Sequence, residues 1–118
     1  MPEPTGEAKV TRAYNLPSKF VIHTVGPIVQ GGLTDEHERL LKSAYTHCLD
    51  LCGSLDQIRS VAFCCISTGV FGYPQDKAAG TAFETVSNWL EQNPGRLDHV
   101  IFNVFTDRDR SLYQSLLR

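Results

Sequence analysis

The sequence predicts an α/β domain in three layers, α/β/α, with a mostly parallel sheet between helices. Three short apolar runs, rich in β-branched and aromatic residues, alternate with longer segments in which apolar residues recur every three or four positions. Nearly continuous apolar runs are typical of strands covered on both faces, and strands that alternate with helices form right-handed crossovers in parallel sheets. The length of 118 residues suits one domain, which we expect to span residues 1–118.

The strands are predicted where the apolar runs lie, at residues 20–25, 61–66 and 100–105, with a further short strand at residues 8–13. Each of the three main runs meets residues that interrupt a strand. Gly26-Pro27 stops the first run, Gly69 follows the second, and Thr106 stops the third.

Three helices are predicted from apolar residues at helical spacing, at residues 35–55, at residues 75–92 and from about residue 109 to the end. Thr34 or Asp35 provides the N-cap of the first helix. The segment Asn93-Pro94-Gly95 ends the second helix.

Composition and charge narrow the classes of function. The formal net charge is −2, and the chain has neither the basic stripe that binds duplex nucleic acid nor a polybasic patch for a membrane surface. The N-terminus lacks the basic and apolar regions of a secretory signal, and no apolar run approaches the ~20 residues of a membrane span. We therefore expect a cytoplasmic protein with no membrane partner.

Several residues of types that often act in catalysis or ligand binding are expected to have structural roles here. The cysteines are Cys48, Cys52, Cys64 and Cys65. We expect core thiols, because two adjacent strand cysteines point to opposite faces and do not chelate together easily; a zinc site is the alternative. His23 is expected to be a hydrogen-bonded core residue and Trp89 a packing residue. Residues 107–110 predict a solvated helix start, with Asp107 or Arg108 at the rim of a ligand cleft as the alternative.

The segment that follows the second main strand predicts a phosphate site. It reads Ser67-Thr68-Gly69-Val70-Phe71-Gly72-Tyr73-Pro74 and leads directly into a helix. Glycines allow backbone N–H groups to turn inward as an anion nest, and the helix N-terminus adds a positive dipole end. The segment has neither the lysine of a Walker A loop nor a Gly-x-Gly-x-x-Gly fingerprint. A tight turn that binds nothing is the alternative, and Phe71 and Tyr73 are either lids on the core or contacts to a ribose or base.

The same segment resembles the second ligand loop of macrodomains. Tyr14-Asn15-Leu16-Pro17 and the following Val21-Ile22-His23-Thr24-Val25-Gly26-Pro27 resemble the strand before that family's middle helix. Residues 63–71 are particularly similar to zinc-containing macrodomains that remove ADP-ribose from proteins. The resemblance implies that the partner is ADP-ribose or an ADP-ribosylated protein.

By this resemblance, backbone groups hold the diphosphate and the end of the last strand lies near the adenosine half of the ligand. The implied diphosphate residues are Ser67, Thr68, Gly69, Val70, Phe71 and Gly72. The implied adenosine residues are Asn103 and Phe105.

The sequence departs from the family because the family's N-terminal portion, with its first strands, catalytic Asn loop and zinc ligands, has no counterpart here. No catalytic residue, metal ligand or cofactor is therefore assigned, and zinc is implied only for the parent family. Three functions stay open: an ADP-ribose-binding unit of a protein-ADP-ribose hydrolase, an enzyme that itself hydrolyses ADP-ribosyl bonds or ADP-ribose phosphate, and a ligand-incompetent structural or oligomerising module. A sheet without its first strands is expected to keep an uncovered edge, which favours a homo-oligomer or completion by another chain.

Overall fold

The computed structural model describes residues 5–12, 20–55, 57–64, 66, 72–103 and 107–116. Strands and helices alternate after the first two strands, as predicted. In chain order the elements are β1 (Ala8–Arg12), β2 (Phe20–Thr24), α1 (Asp35–Ser54), β3 (Ser60–Phe63), α2 (Gln75–Gln92), β4 (His99–Phe102) and α3 (Asp107–Leu116). The structure therefore confirms an α/β fold with every predicted helix and strand. β3 ends at Phe63 and β4 at Phe102, and residues 65, 104 and 105 of the predicted runs lie outside the described residues.

The strands found in the described residues form two pairs. β1 and β2 are antiparallel, with Ala8 opposite Thr24. β3 and β4 are parallel, with Ser60 opposite His99 and Phe63 opposite Phe102. The β3-α2-β4 unit is thus the parallel crossover that the alternation predicts, whereas no ladder joins β2 to β3 among the described residues.

The helices of the described residues lie against one face of the β3–β4 pair. The Phe63 ring centroid is 5.0 Å from that of Tyr45 on α1, and the Phe102 centroid is 4.6 Å from that of Tyr113 on α3. On the opposite face Ala62 is exposed and Ile101 is 52% exposed.

The predicted α/β fold, with a parallel strand pair and helices, is confirmed. Among the described residues, one face of the β3–β4 pair is covered and the other is open. Tertiary packing decides which face is buried, and in the described residues burial alternates along both strands.

The core lies between α1, α2 and the strands. α1 contributes a buried face that consists of Leu41, Ala44, Tyr45, Cys48, Leu49 and Cys52. α2 faces it with small residues, Ala78 and Ala82, and with the larger Val86 and Trp89. The alanines let the two helices approach closely, and each buried large side chain contributes about 1.5–3 kcal/mol of hydrophobic stabilisation.

Both ends of α1 are held by side chains. At its start the Thr34 hydroxyl accepts from the His37 N–H at 3.2 Å, and the His37 ring nitrogen accepts from the Thr34 N–H at 3.1 Å. This confirms Thr34 as the N-cap. At its end the Arg96 guanidinium donates to the carbonyls of Cys52 and Gly53 at 2.9 and 3.0 Å. Arg96 also reaches the carbonyls of Leu55 and Ile58, so it closes a helix terminus that has no basic residue of its own.

Two of the side-chain expectations are wrong. His23 is exposed, because Ile22 beside it packs against the core and successive strand residues point to opposite faces. Cys64 is exposed for the same reason, since Phe63 takes the buried direction. Cys48 and Cys52 are buried thiols as predicted, and Cys65 lies outside the described residues.

Trp89 is a packing residue, as expected. It is 7% exposed, and its indole N–H donates to the Asp50 carboxylate at 3.0 Å. The predicted helix start at residues 107–110 is also confirmed, because α3 begins at Asp107 and both Asp107 and Arg108 are exposed.

Candidate functional site

The parallel strands β3 and β4 end at the same level, which defines one edge of the molecule. The Asn103 N–H, just past β4, donates to the Phe63 carbonyl at the end of β3 at 2.7 Å. In chain order, β3 is followed by α2 and β4 by α3. Ligands of open α/β sheets bind beyond the carboxyl ends of the strands, so this edge is where a site is expected.

Gly72 lies three residues before α2, in the connection from β3 to α2, under two constraints that favour glycine. Its φ is +77°, in the left-handed region. A Cβ built on it would lie 2.7 Å from the Val29 carbonyl oxygen, in the connection between β2 and α1. The segment before α2 therefore touches the β2–α1 connection backbone to backbone, and the expectation that Gly72 permits a close approach is confirmed.

The N-terminus of α2 presents free backbone donors next to Gly72. Pro74 occupies the N-cap position and makes no side-chain cap. The first helical hydrogen bond is donated by the Ala78 N–H to the Pro74 carbonyl at 2.9 Å. The amides of Gln75, Asp76 and Lys77 precede that bond, so they have no partner within the helix and carry its positive dipole end.

Tyr73 anchors the segment in the core. It is 3% exposed and belongs to the main apolar cluster. Burial raises the pKa of its hydroxyl, while the neighbouring Thr81 hydroxyl opposes the rise. The oxygen has no hydrogen-bond partner within normal distance among the described residues. Tyr73 thus covers the core, which is the first of its two predicted roles. Its neighbours Gly72 and Pro74 are exposed.

The described part of the chain contains two of the predicted ligand residues, Gly72 and Asn103. The others, Ser67, Thr68, Gly69, Val70, Phe71 and Phe105, lie outside the described residues. Their roles stay predictions, as do the ligand roles of Gly72 and Asn103. Sequence reasoning missed Val29, whose carbonyl meets Gly72, since nothing local indicates which backbone a glycine approaches.

The buried thiols are poorly suited to act as nucleophiles. Burial raises the pKa of Cys48 to about 12, although its contact with the Thr24 hydroxyl opposes the rise. Burial also raises the pKa of Cys52. Both thiols are therefore protonated near neutral pH, and the reactive thiolate is scarce.

A shallow groove of about 380 Å³ lies at the C-terminal half of α1. Its lining residues are Glu7, Ala8, His47, Asp50, Leu51 and Ser54, and none of these is a predicted ligand residue. Across the described ranges, no three His, Cys, Asp or Glu side chains are arranged to hold a metal ion. None of the helices described is both long and apolar enough to cross a membrane.

The sequence of the chain is similar to that of one known protein family. The model of the Macro domain matches residues 1–82. The chain is 50% identical over 115 residues to a protein-ADP-ribose hydrolase of Treponema medium, covering 98% of this chain and 43% of that protein. It is 49% identical over 113 residues to ADP-ribose glycohydrolase MACROD1 of Rattus norvegicus, covering 96% of this chain and 43% of that protein.

A solved structure shows the same fold. A variant of the Oceanobacillus iheyensis macrodomain, determined with ADPR, matches with a TM-score of 0.87 and 41% identity, over 98% of this chain and 60% of the other. The chain therefore spans less than half the length of these curated relatives and about three fifths of the solved domain.

Proposed function

Because the chain belongs to the macrodomain family, we propose that it binds ADP-ribose at the carboxyl edge of β3 and β4. The diphosphate lies against the segment that joins β3 to α2. One observation carries the proposal: Gly72, in a left-handed conformation that admits no Cβ, leads into a helix N-terminus with no side-chain cap. Free amides and a positive dipole end favour an anion at that point.

The residue roles follow from this placement. Backbone N–H groups of the segment bind the diphosphate oxygens, together with the first amides of α2. The segment comprises Ser67, Thr68, Gly69, Val70, Phe71 and Gly72. Asn103 and Phe105 border the adenosine half from the end of β4. The ADPR in the Oceanobacillus iheyensis structure supports this choice of ligand.

Hydrolysis is proposed as the activity of the family to which the chain belongs, and no catalytic residue is assigned to this chain. The relatives are a protein-ADP-ribose hydrolase and an ADP-ribose glycohydrolase, and an ADP-ribosylated protein is the substrate class that the first name supports. Similarity at residues 63–71 points to the zinc-containing branch. We place the protein in the cytoplasm and treat residues 1–118 as one domain.

Isothermal titration calorimetry of the 118-residue chain with ADP-ribose, ADP and adenosine tests the proposal. A diphosphate site gives heat with ADP-ribose and with ADP, and much weaker binding with adenosine, which has no phosphate. Gly69→Glu places a carboxylate in the predicted nest and abolishes binding by repulsion and steric block. Absence of heat with all three compounds would assign this chain to the structural, ligand-incompetent alternative.

A further inference from the structure

Tyr73 connects the proposed anion site to the core. It follows Gly72 and precedes Pro74, the N-cap position of α2, so its backbone leads directly to the free amides that begin this helix. Both neighbours are exposed, whereas Tyr73 is 3% exposed and packs in the main apolar cluster. Its side chain therefore attaches residues 72–74 to the core, and a shift of that side chain moves the start of α2 with it.

The hydroxyl of Tyr73 is buried without a hydrogen bond to any of the described residues. Burial raises the pKa of this group, and the neighbouring Thr81 hydroxyl of α2 opposes the rise, whereas Glu38 and Lys42 of α1 act only through their charges. Thr81 is itself 8% exposed. A buried hydroxyl without a partner destabilises the fold that contains it, so native structures keep few such groups, and each one calls for an explanation.

A bond between the Tyr73 and Thr81 hydroxyls would fix the way in which the chain enters α2. Thr81 lies on that helix, six residues beyond Gln75, which is about 9 Å along the helix axis. The Tyr73 side chain therefore spans the first two turns of α2 to come near it. With the bond made, Gly72 and the free amides of α2 would be held in one fixed arrangement.

We propose that Tyr73 is a positioning residue of the ADP-ribose site and that its hydroxyl bonds to the Thr81 hydroxyl when the diphosphate is bound. The inference rests on the proposed function, in which the Gly72 amide and the first amides of α2 bind the diphosphate oxygens. An anion draws these donors toward one point, and Tyr73 stands between them in the chain. The movement brings the hydroxyl to its partner, so a group that is unpaired in the free chain contributes to affinity in the complex.

Two conservative variants test the bond. Tyr73→Phe keeps the ring and removes one hydroxyl, and Thr81→Val keeps the branched shape and removes the other. In calorimetric titration with ADP-ribose, each is expected to bind about fivefold more weakly than the parent chain, the effect of one neutral hydrogen bond. The double variant binds no more weakly than either single variant, because each change removes the same bond. In urea denaturation without ligand, Tyr73→Phe is at least as stable as the parent, since the hydroxyl it loses made no bond there.

Thr85→Val is the matched control on the same helix, because the Thr85 hydroxyl donates to the Thr81 carbonyl at 2.7 Å, and its loss is expected to leave the affinity unchanged. Affinity of Tyr73→Phe equal to that of the parent would overturn the proposal, as would additive losses in the double variant. A less stable Tyr73→Phe without ligand would also overturn it, because the hydroxyl would then be bonded in the free chain. If the parent chain gives no heat with ADP-ribose, the proposed function fails and this role with it. If the parent binds and both variants bind equally well, only the positioning role fails.

Discussion

At the scale of single residues, Gly72 links the fold to the proposed site. Its positive φ disfavours a side chain, and its contact with the Val29 carbonyl oxygen separately leaves no room for a Cβ. The contact joins the segment before α2 to the β2–α1 connection, so the position of the proposed diphosphate segment depends on both. A substitution at Gly72 is therefore expected to weaken ADP-ribose binding even when the new side chain is uncharged.

We predict that Gly72→Ala weakens ADP-ribose binding by about tenfold or more, because the new methyl group displaces either Val29 or the start of α2. Strain from a positive φ alone costs about 1 kcal/mol, and Gly95→Ala isolates that cost. Gly95 has a φ of +74° and nothing within 4 Å of a built Cβ. Calorimetric titration of both variants makes the comparison. Equal affinity of the two variants would show that the Val29 contact does not position the site.

The sequence shows a glycine at position 72, but it does not show which part of the structure requires one there. The turn at Gly72 and the start of α2 could be predicted from the sequence, since both depend on neighbours within a few residues. The contact with Val29 depends on how two distant connections meet. Likewise the exposure of His23 and Cys64 follows from which face of each strand meets the helices, and an apolar run does not specify that.

At the scale of elements, α1 shows what local sequence predicts and what it misses. Thr34 was predictable as its N-cap, because the cap lies three residues from its partner His37. Its C-terminus depends on Arg96, which lies beyond α2 and donates to four carbonyls at residues 52–58. The last turn of α1 has no basic residue, so Arg96 is the cation that offsets the negative helix end.

We predict that Arg96→Ala lowers the free energy of unfolding by about 2–4 kcal/mol, because several part-buried carbonyls lose a charged donor together. Arg96→Lys restores only part of the loss, since one ammonium group cannot reproduce the guanidinium fork. Urea denaturation followed by circular dichroism measures both. Arg59→Ala is the control: Arg59 pairs with Asp98 at 2.8 Å but is exposed, and we expect little change. A loss at Arg59 as large as that at Arg96 would refute the capping role.

At the scale of the whole molecule, α1 connects two strand pairs between which the described residues form no ladder. The alternation of strands and helices predicted the elements, but strand pairing is a long-range property that the sequence pattern does not encode. The β1–β2 pair is tied to α1 at Gly6. The buried Gly6 carbonyl accepts from the Ser43 hydroxyl at 2.8 Å and from the His47 ring Nδ1–H at 2.6 Å. The Gly6 N–H donates to the Val25 carbonyl at 2.7 Å.

Because the Gly6 carbonyl ties the β1–β2 pair to α1, we predict that losing these bonds opens β1–β2 while β3–β4 stays closed. The double variant Ser43→Ala, His47→Ala leaves the Gly6 carbonyl without a donor from α1, and an unsatisfied buried carbonyl costs about 1–3 kcal/mol. Amide exchange in β1 and β2 should therefore accelerate about tenfold or more, while exchange in β3 and β4 stays the same. Ser54→Ala is the control on the same helix, because its hydroxyl bonds only to the nearby Leu51 carbonyl at 2.8 Å. Equal acceleration in both pairs would mean that α1 and the four described strands unfold as one unit, and independent opening would then be refuted.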